Sequence, residues 1–98
     1  MTVKLIALYK KPDDQVAFLQ HYHEIHMPLV MKTPHLLKTE INQVTGAPFG
    51  DPAYFLIAEM HFPDRQRFDE AMASAENRAA GKDLMSFAKN LVTLVIAE

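Results

Sequence analysis

The sequence predicts an α+β protein of the ferredoxin-like βαββαβ class, with a four-stranded antiparallel sheet and helices on one face. Three observations support this prediction: short apolar segments of strand-like composition, amphipathic segments of helical period, and their order along the chain, strand, helix, strand, strand, helix, strand. With 98 residues, the chain has room for one compact domain, which we expect to span residues 1–98.

Four segments are predicted as strands because they are rich in apolar or β-branched side chains and end at turn-forming or charged residues. They cover residues 3–9, 36–45, 53–62 and 91–97. The second strand is the most polar of the four. A loop with two Gly and two Pro, residues 46–52, joins it to the third strand and is typical of a hairpin connection.

The first helix is predicted to begin at Asp13 or Asp14, either of which can cap it, and to reach about Met31. Pro28 lies inside this helix and has no backbone donor, so we expect a kink or an end near Met27. Its buried stripe recurs at helical spacing and consists of Phe18, Tyr22, Ile25 and Leu29.

The second helical region follows Pro63-Asp64 and turns Phe68, Ala71 and Met72 inward. Ser74 can cap a further helical stretch through Ala80. Gly81 is expected to break the helical pattern, since glycine is a poor helix former.

Both faces of the predicted sheet are apolar. In the first strand, Leu5, Ala7 and Tyr9 point one way while Ile6 and Leu8 point the other, and the last strand behaves in the same way. Leaving such side chains in water forgoes roughly 1.5–3 kcal/mol each. A homodimer that packs sheet face on sheet face is therefore predicted.

An RNA-binding sheet is the alternative, because RRM domains share this topology and display aromatic side chains, here Tyr9 and Phe55. The basic residues expected around such a surface are missing, and the formal net charge is −2. Nucleic acid is therefore not an expected partner. No apolar run approaches the roughly 20 residues that a membrane span requires, so no membrane partner is expected either.

The chain contains no cysteine, which excludes disulfides, thiolate metal sites and a thiol nucleophile in this sequence. Histidine and carboxylate side chains remain as protein metal ligands. The absence of cysteine favours a cytoplasmic location.

Three motifs resemble those of the EthD family: Tyr9-Lys10-Lys11-Pro12, Phe18-x-x-His21-Tyr22-x-x-x-His26-x-Pro28-Leu29 and Asn42-x-Val44-Thr45-Gly46. The likeness continues through residues 54–62 and 79–84 and so covers nearly the whole chain. It implies a dimeric α+β barrel, the architecture of cofactor-free monooxygenases, muconolactone isomerases and small polyketide cyclases. It also implies a small-molecule cavity between helices and sheet, and no cofactor. Members of the family are mostly of unassigned activity.

His26 is the main catalytic candidate. At about 100° per residue, it lies roughly 50° from the centre of the buried stripe, at the border of the core. Its ordinary pKa near 6.5 suits a general acid or base. The alternative is a structural histidine that donates to the Glu24 carbonyl, which Pro28 leaves without its usual partner.

The other two histidines of this helix are predicted to point elsewhere. His21 falls about 90° to one side of the stripe, and His23 falls about 110° to the other. The three rings therefore do not converge on one point. His23 and His26 have i, i+3 spacing, but no third ligand is evident, so no metal site is assigned.

Glu59 and His61 are i, i+2 neighbours on one face of the third strand and form the second catalytic candidate, as a proton relay. An edge ion pair or an interface contact is the alternative for this pair. Five further residues are candidates for substrate binding through a hydroxyl, amide, imidazole or aromatic group: Tyr9, Tyr22, His23, Asn42 and Phe55.

These observations predict an EthD-like protein that binds a small apolar or aromatic metabolite. Cofactor-free proton transfer or oxygenation, with His26 as base or acid, is the leading hypothesis for its chemistry. A non-catalytic protein that binds a small molecule, or an accessory protein, is the alternative.

Overall fold

The computed structural model of the protein describes residues 2–98, so residue 1 of the predicted domain lies outside the described residues. The helices and strands are β1 (Val3–Tyr9), α1 (Gln15–His21), a π-helical turn (Tyr22–His26), α2 (Met27–Val30), β2 (Lys38–Gln43), β3 (Leu56–Phe62), α3 (Arg65–Met72), α4 (Ala75–Ala88) and β4 (Val92–Ala97). The strands form one antiparallel sheet in the order β2-β3-β1-β4. The predicted ferredoxin-like topology is confirmed.

Three side chains cap the helices, and two of them, Asp14 and Ser74, were predicted as caps from the sequence. Asp14, Asp64 and Ser74 each accept a hydrogen bond from the backbone N–H three residues later, at 3.0, 2.8 and 3.1 Å. Each bond satisfies one of the donors that a helix N-terminus leaves free.

The predicted end near Met27 was wrong, but an irregularity lies where the alternative, a kink, was expected, because a π-helical turn at residues 22–26 interrupts the regular α-helical hydrogen bonds. The backbone N–H of Met27 reaches back five residues to the carbonyl of Tyr22, which closes the π-helical turn. Pro28 then lies in the first turn of α2, where a missing N–H is tolerated. The helical path therefore continues to Val30, with the turn absorbing one extra residue.

Gly81 does not break the second helical region, so this prediction was also wrong. Helix α4 runs through it from Ala75 to Ala88. Its buried stripe, Ala80, Leu84 and Ala88, packs into the core. The stability of a packed amphipathic helix comes mostly from such burial, which outweighs the cost of about 1 kcal/mol for one glycine.

The second and third strands are several residues shorter than predicted, because residues 44–55 belong to the connecting loop, and the last strand begins one residue later than predicted. Phe55 precedes β3, and its ring packs edge-on against Phe18 of α1, with centroids 6.1 Å apart. Strand alternation would place Phe55 on the same face as Glu59 and His61, but its contact with Phe18 places its ring on the helix side of the sheet.

The sheet has two different faces. The covered face, which carries Ala7, Tyr9 and Ala58, is buried beneath the helices, where these residues are at most 2% exposed. The open face faces away from the helices and has an apolar part and a charged part. Its apolar part consists of Ile6, Leu8, Ile57 and Val95. Its charged part consists of Lys4, Lys38, Glu40, Glu59 and His61.

Within residues 2–98, no helix has both the length and the apolar character needed to cross a bilayer.

Candidate functional site

A cavity of about 160 Å³ lies between the covered face and the helices. Most of its wall is apolar, and four polar side chains contribute to the rest: Tyr9, His26, Thr33 and Asn77. Leu94 of β4 forms one side of the cavity and is 47% exposed, which places that side next to solvent. An engineered apolar cavity of about 150 Å³ binds benzene, so this volume suits a ligand with a single ring.

His26 ends the π-helical turn and is 5% exposed. Its Nδ1 atom lies 3.0 Å from Oδ2 of Asp83 on α4. Burial lowers the pKa of His26, although the Asp83 carboxylate opposes that effect. A neutral imidazole that donates through Nδ1 carries its lone pair on Nε2, which leaves Nε2 as the nitrogen that can accept a proton from a ligand.

His21 binds the same carboxylate. Its Nε2 atom lies 2.9 and 3.1 Å from the two oxygens of Asp83, so the carboxylate is held between two imidazole rings. The Phe87 ring packs against both, with centroid distances of 4.4 Å to His21 and 5.3 Å to His26.

The convergence of His21 and His26 corrects the prediction that the helix histidines point apart. In a regular α-helix, side chains four positions apart lie on the same face. The π-helical turn adds one residue, so here the side chains of His21 and His26, which are five positions apart, lie on the same face. His23 lies outside this group and is exposed.

Asp83 is the functional residue that the sequence analysis missed. Because the helix was predicted to break at Gly81, Asp83 lay outside it. In the structure Asp83 lies on the side of α4 that packs against the core, between Ala80 and Phe87. The position of this carboxylate within an apolar stripe could have identified it, because a charged group that is buried requires a partner. The partner of His26 is thus Asp83, in place of the expected Glu24 carbonyl.

Tyr9 is 1% exposed and lines the cavity beside His26. Burial, and next the neighbouring Tyr22, raise the pKa of the Tyr9 hydroxyl above its ordinary value, and Asp83 adds to the effect. The hydroxyl therefore stays protonated and can donate to an oxygen of a ligand. Tyr22 packs behind Tyr9, with ring centroids 5.5 Å apart, and burial raises its pKa too.

The remaining substrate-binding candidates lie away from this cavity. Asn42 is exposed on the open face, opposite Ile57 in the register. Phe55 borders a separate, wider groove of about 650 Å³ formed with the loop after β2. Of the candidates taken from the sequence, His26 and Tyr9 are brought together at the cavity.

Glu59 and His61 are neighbours, as predicted, but they lie on the open face and the sheet separates them from the cavity. The Nε2 atom of His61 lies 3.9 Å from Glu59 and 3.8 Å from Glu40 of β2. Both distances are too long for a hydrogen bond.

The sheet, its helical cover and the small cavity define an α+β protein of the ferredoxin-like class with a part-buried His–Asp pair. Residues 10–90 match the EthD domain. The chain therefore belongs to the EthD family.

Three solved structures place this result among known proteins. An ethyl tert-butyl ether D family protein from Bacillus halodurans is 43% identical, with a TM-score of 0.95, and the match covers 100% of this chain and 98% of that chain. A dimeric ferredoxin-like protein of unknown function from Jannaschia sp. CCS1 is 14% identical, with a TM-score of 0.74 and coverage of 100% and 99%.

The third structure is a mutant form of SnoaB from Streptomyces nogalater, a cofactor-independent oxygenase. It is 10% identical to this chain, with a TM-score of 0.71 and coverage of 99% and 91%. At such identities, the Jannaschia and Streptomyces structures show a common fold alone.

Proposed function

We propose that this protein is a homodimer that binds a small apolar or aromatic metabolite in the cavity and transfers a proton to or from it without a cofactor. In this proposal His26 is the catalytic base and acid, and Asp83 is its positioning residue. The observation that carries the proposal is a buried histidine at the wall of an apolar cavity, with its Nδ1 atom 3.0 Å from a carboxylate oxygen of Asp83.

The proposed reaction begins when Nε2 of His26 accepts a proton from an acidic C–H or O–H bond of the ligand. Asp83 accepts a hydrogen bond from the Nδ1–H group of His26, which holds the ring in one tautomer. The carboxylate also stabilises the imidazolium that forms. Tyr9 donates its hydroxyl proton in a hydrogen bond to the oxygen on which negative charge develops. Return of the proton to another ligand atom completes an isomerisation. In the oxygenation branch, the carbanion and O₂ form a C–O bond, which reduces O₂ to a peroxide anion, and the proton held by His26 then gives the hydroperoxide.

The proposed homodimer forms through the open face. In a single chain, Ile57 stays partly exposed and Val95 is 40% exposed there, and a second copy would bury them. The Jannaschia protein of the same fold is described as dimeric, which supports a homodimer but does not identify the face that forms it. A cytoplasmic location remains a prediction.

Deuterium exchange tests the proposed proton transfer. Single-ring aryl ketones such as acetophenone fit the cavity volume, and their acidic C–H bonds exchange with D₂O when a base acts on them, which ¹H NMR measures. We expect His26→Gln to slow exchange by roughly 100-fold or more, the usual contribution of general acid–base catalysis. Asp83→Asn should slow it by at least roughly tenfold, because the tautomer of His26 is no longer fixed. Exposed His23→Gln is the matched control and should exchange at the wild-type rate.

Calorimetric measurement of ligand binding distinguishes an enzyme from a non-catalytic binding or accessory protein. We expect the Kd for acetophenone to change little in His26→Gln, because most of the cavity wall is apolar. If the wild-type protein binds the ketones and exchange stays at the solvent rate, the protein is a binding or accessory protein and the catalytic proposal is wrong. If single-ring ligands do not bind, the ligand site itself is wrong.

A further inference from the structure

A second group of polar side chains lies on the open face, on the other side of the sheet from His26. Glu40 of β2 pairs directly with Glu59 of β3 in the register, and His61 is two residues further along β3. Like charges directly opposite each other destabilise a sheet unless a cation lies near them.

His61 is the unusual member of this group. The residue is 8% exposed, its side chain is 10% exposed, and its Nε2 atom has no hydrogen-bond partner in the part of the chain that the structure describes. A buried polar atom without a partner costs free energy, so it indicates that another group completes the site. This Nε2 atom faces the two carboxylates, at 3.8 and 3.9 Å.

These distances fit ligand atoms around a metal ion better than they fit hydrogen bonds. Hydrogen bonds to nitrogen span about 2.7–3.2 Å. Two atoms bound to one tetrahedral Zn²⁺, at about 2.0–2.2 Å each, lie about 3.4 Å apart. One ligand atom from each of the three side chains already lies within 4.8 Å of the others. Shortening these separations from at most 4.8 Å to about 3.4 Å would bring all three ligand atoms to bonding positions.

We propose that Glu40, Glu59 and His61 form a binding site for a divalent transition-metal ion of the Zn²⁺ type. One imidazole and two carboxylates are ligands that Zn²⁺ accepts, and three protein ligands leave a fourth position open. All three ligands come from one chain, and they lie on the open face, through which the proposed homodimer forms. The sequence analysis assigned no metal site, because Glu40 belongs to another strand and the register was not known.

Two lysines compete with a metal ion at this site. Lys38 lies 2.9 Å from Oε1 of Glu40, and Lys4 lies 3.5 Å from Oε1 of Glu59. These are the same oxygens that face His61. Both lysines are well exposed, and exposed ion pairs are weak, so a divalent ion can displace them.

Isothermal titration calorimetry of the full chain with Zn²⁺ tests the site. The visible absorption of bound Co²⁺ reports the coordination geometry of the ion. We expect one ion per chain and an intense visible absorption typical of tetrahedral Co²⁺. Glu40→Gln, Glu59→Gln and His61→Gln should each weaken binding by at least about tenfold, since each removes one ligand. Lys38→Met should tighten binding, because it removes a competitor and leaves all three ligands in place.

His23→Gln is the matched control, since His23 is exposed and lies outside both groups of polar side chains, and this variant should bind Zn²⁺ as the wild type does. The glutamate variants alter partly or fully exposed side chains and keep the proposal testable if His61→Gln fails to fold. The proposal is overturned if the wild type binds no Zn²⁺, or if Glu40→Gln and Glu59→Gln bind it as tightly as the wild type.

Discussion

The two faces of the sheet each hold a buried histidine beside carboxylates, but they satisfy it differently. On the covered face, His26 lies 3.0 Å from Asp83, which α4 brings down onto it. On the open face, His61 lies 3.8 Å and 3.9 Å from carboxylates that sit beside it on β2 and β3. A helix that packs on a sheet can bring a carboxylate within hydrogen-bond distance of a histidine. Carboxylates on neighbouring strands can lie only at the distances that the strand register sets. The first arrangement suits proton transfer, and the second suits an ion.

Substitutions at two adjacent residues of β3 separate the roles of the faces and have the largest expected effect. Ala58 is 1% exposed on the covered face, while Ile57 is partly exposed on the open face. Ala58→Asp buries a carboxylate without a partner, which costs several kcal/mol out of the roughly 5–15 kcal/mol typical of a small domain. We expect circular dichroism to show an unfolded or strongly destabilised protein.

Ile57→Asp should stay folded and become monomeric in sedimentation velocity, because the two copies would bring like charges together across the interface. A folded Ile57→Asp protein that remains dimeric would show that the open face is not the interface.

The pH dependence of stability tests the buried state of His26. Burial lowers its pKa in the folded chain, so between pH about 6.5 and that lowered value the unfolded chain binds the proton more readily. The stability that neutral His26 contributes is complete above about pH 6.5 and falls as the pH drops through the folded-state pKa, by up to about 1.4 kcal/mol per pH unit.

Urea unfolding between about pH 5.5 and 8 measures this slope, in a range where most carboxylates stay ionised. We expect His26→Gln to reduce the slope by the contribution of one proton and exposed His23→Gln to keep it. An unchanged slope in His26→Gln would mean that another group takes up the proton.

Gly81 gives the smallest expected effect and tests the cavity from the helix side. It lies within α4 and lines the cavity, and no atom lies within 4 Å of the position that a Cβ would occupy. Gly81→Ala should raise the free energy of unfolding by about 0.5–1 kcal/mol, because alanine loses less backbone entropy in a helix.

The added methyl group would point into open space at the cavity wall, so it should also weaken the binding of acetophenone. Gly46→Ala, in the exposed loop after β2, is the control for ligand binding and should leave it unchanged. A lower free energy of unfolding in Gly81→Ala would contradict this prediction and would mean that the added methyl group strains the helix or its neighbours.

Local signals in the sequence were sufficient for much of the fold. The bounds of β1 agree with the apolar run at residues 3–9, and the caps Asp14 and Ser74 follow from side chains that compete for free backbone donors. The helix through Gly81 and the short β2 and β3 were not predicted, because packing decides those boundaries and single-residue propensities do not.

The candidate site was predicted only in part, for a geometric reason. His26 and Tyr9 were identified from residue type and from position on an apolar stripe or strand, which are properties of one segment each. Asp83 and Glu40 were not identified as their neighbours, since each comes from a different helix or strand. The pairing of His21 with His26 required the π-helical turn, which a wheel of constant angle cannot represent.

The amino-acid sequence by itself determined the order of helices and strands, the two-sided apolar sheet and the presence of a histidine at the border of the core. These follow from periodicity and side-chain chemistry, which act over a few residues. The tertiary structure decided that Asp83 lies behind His26 and that Glu40 lies beside His61. Both contacts join residues far apart in the chain, and only the packing of α4 and the register of β2 against β3 bring them within a few ångströms.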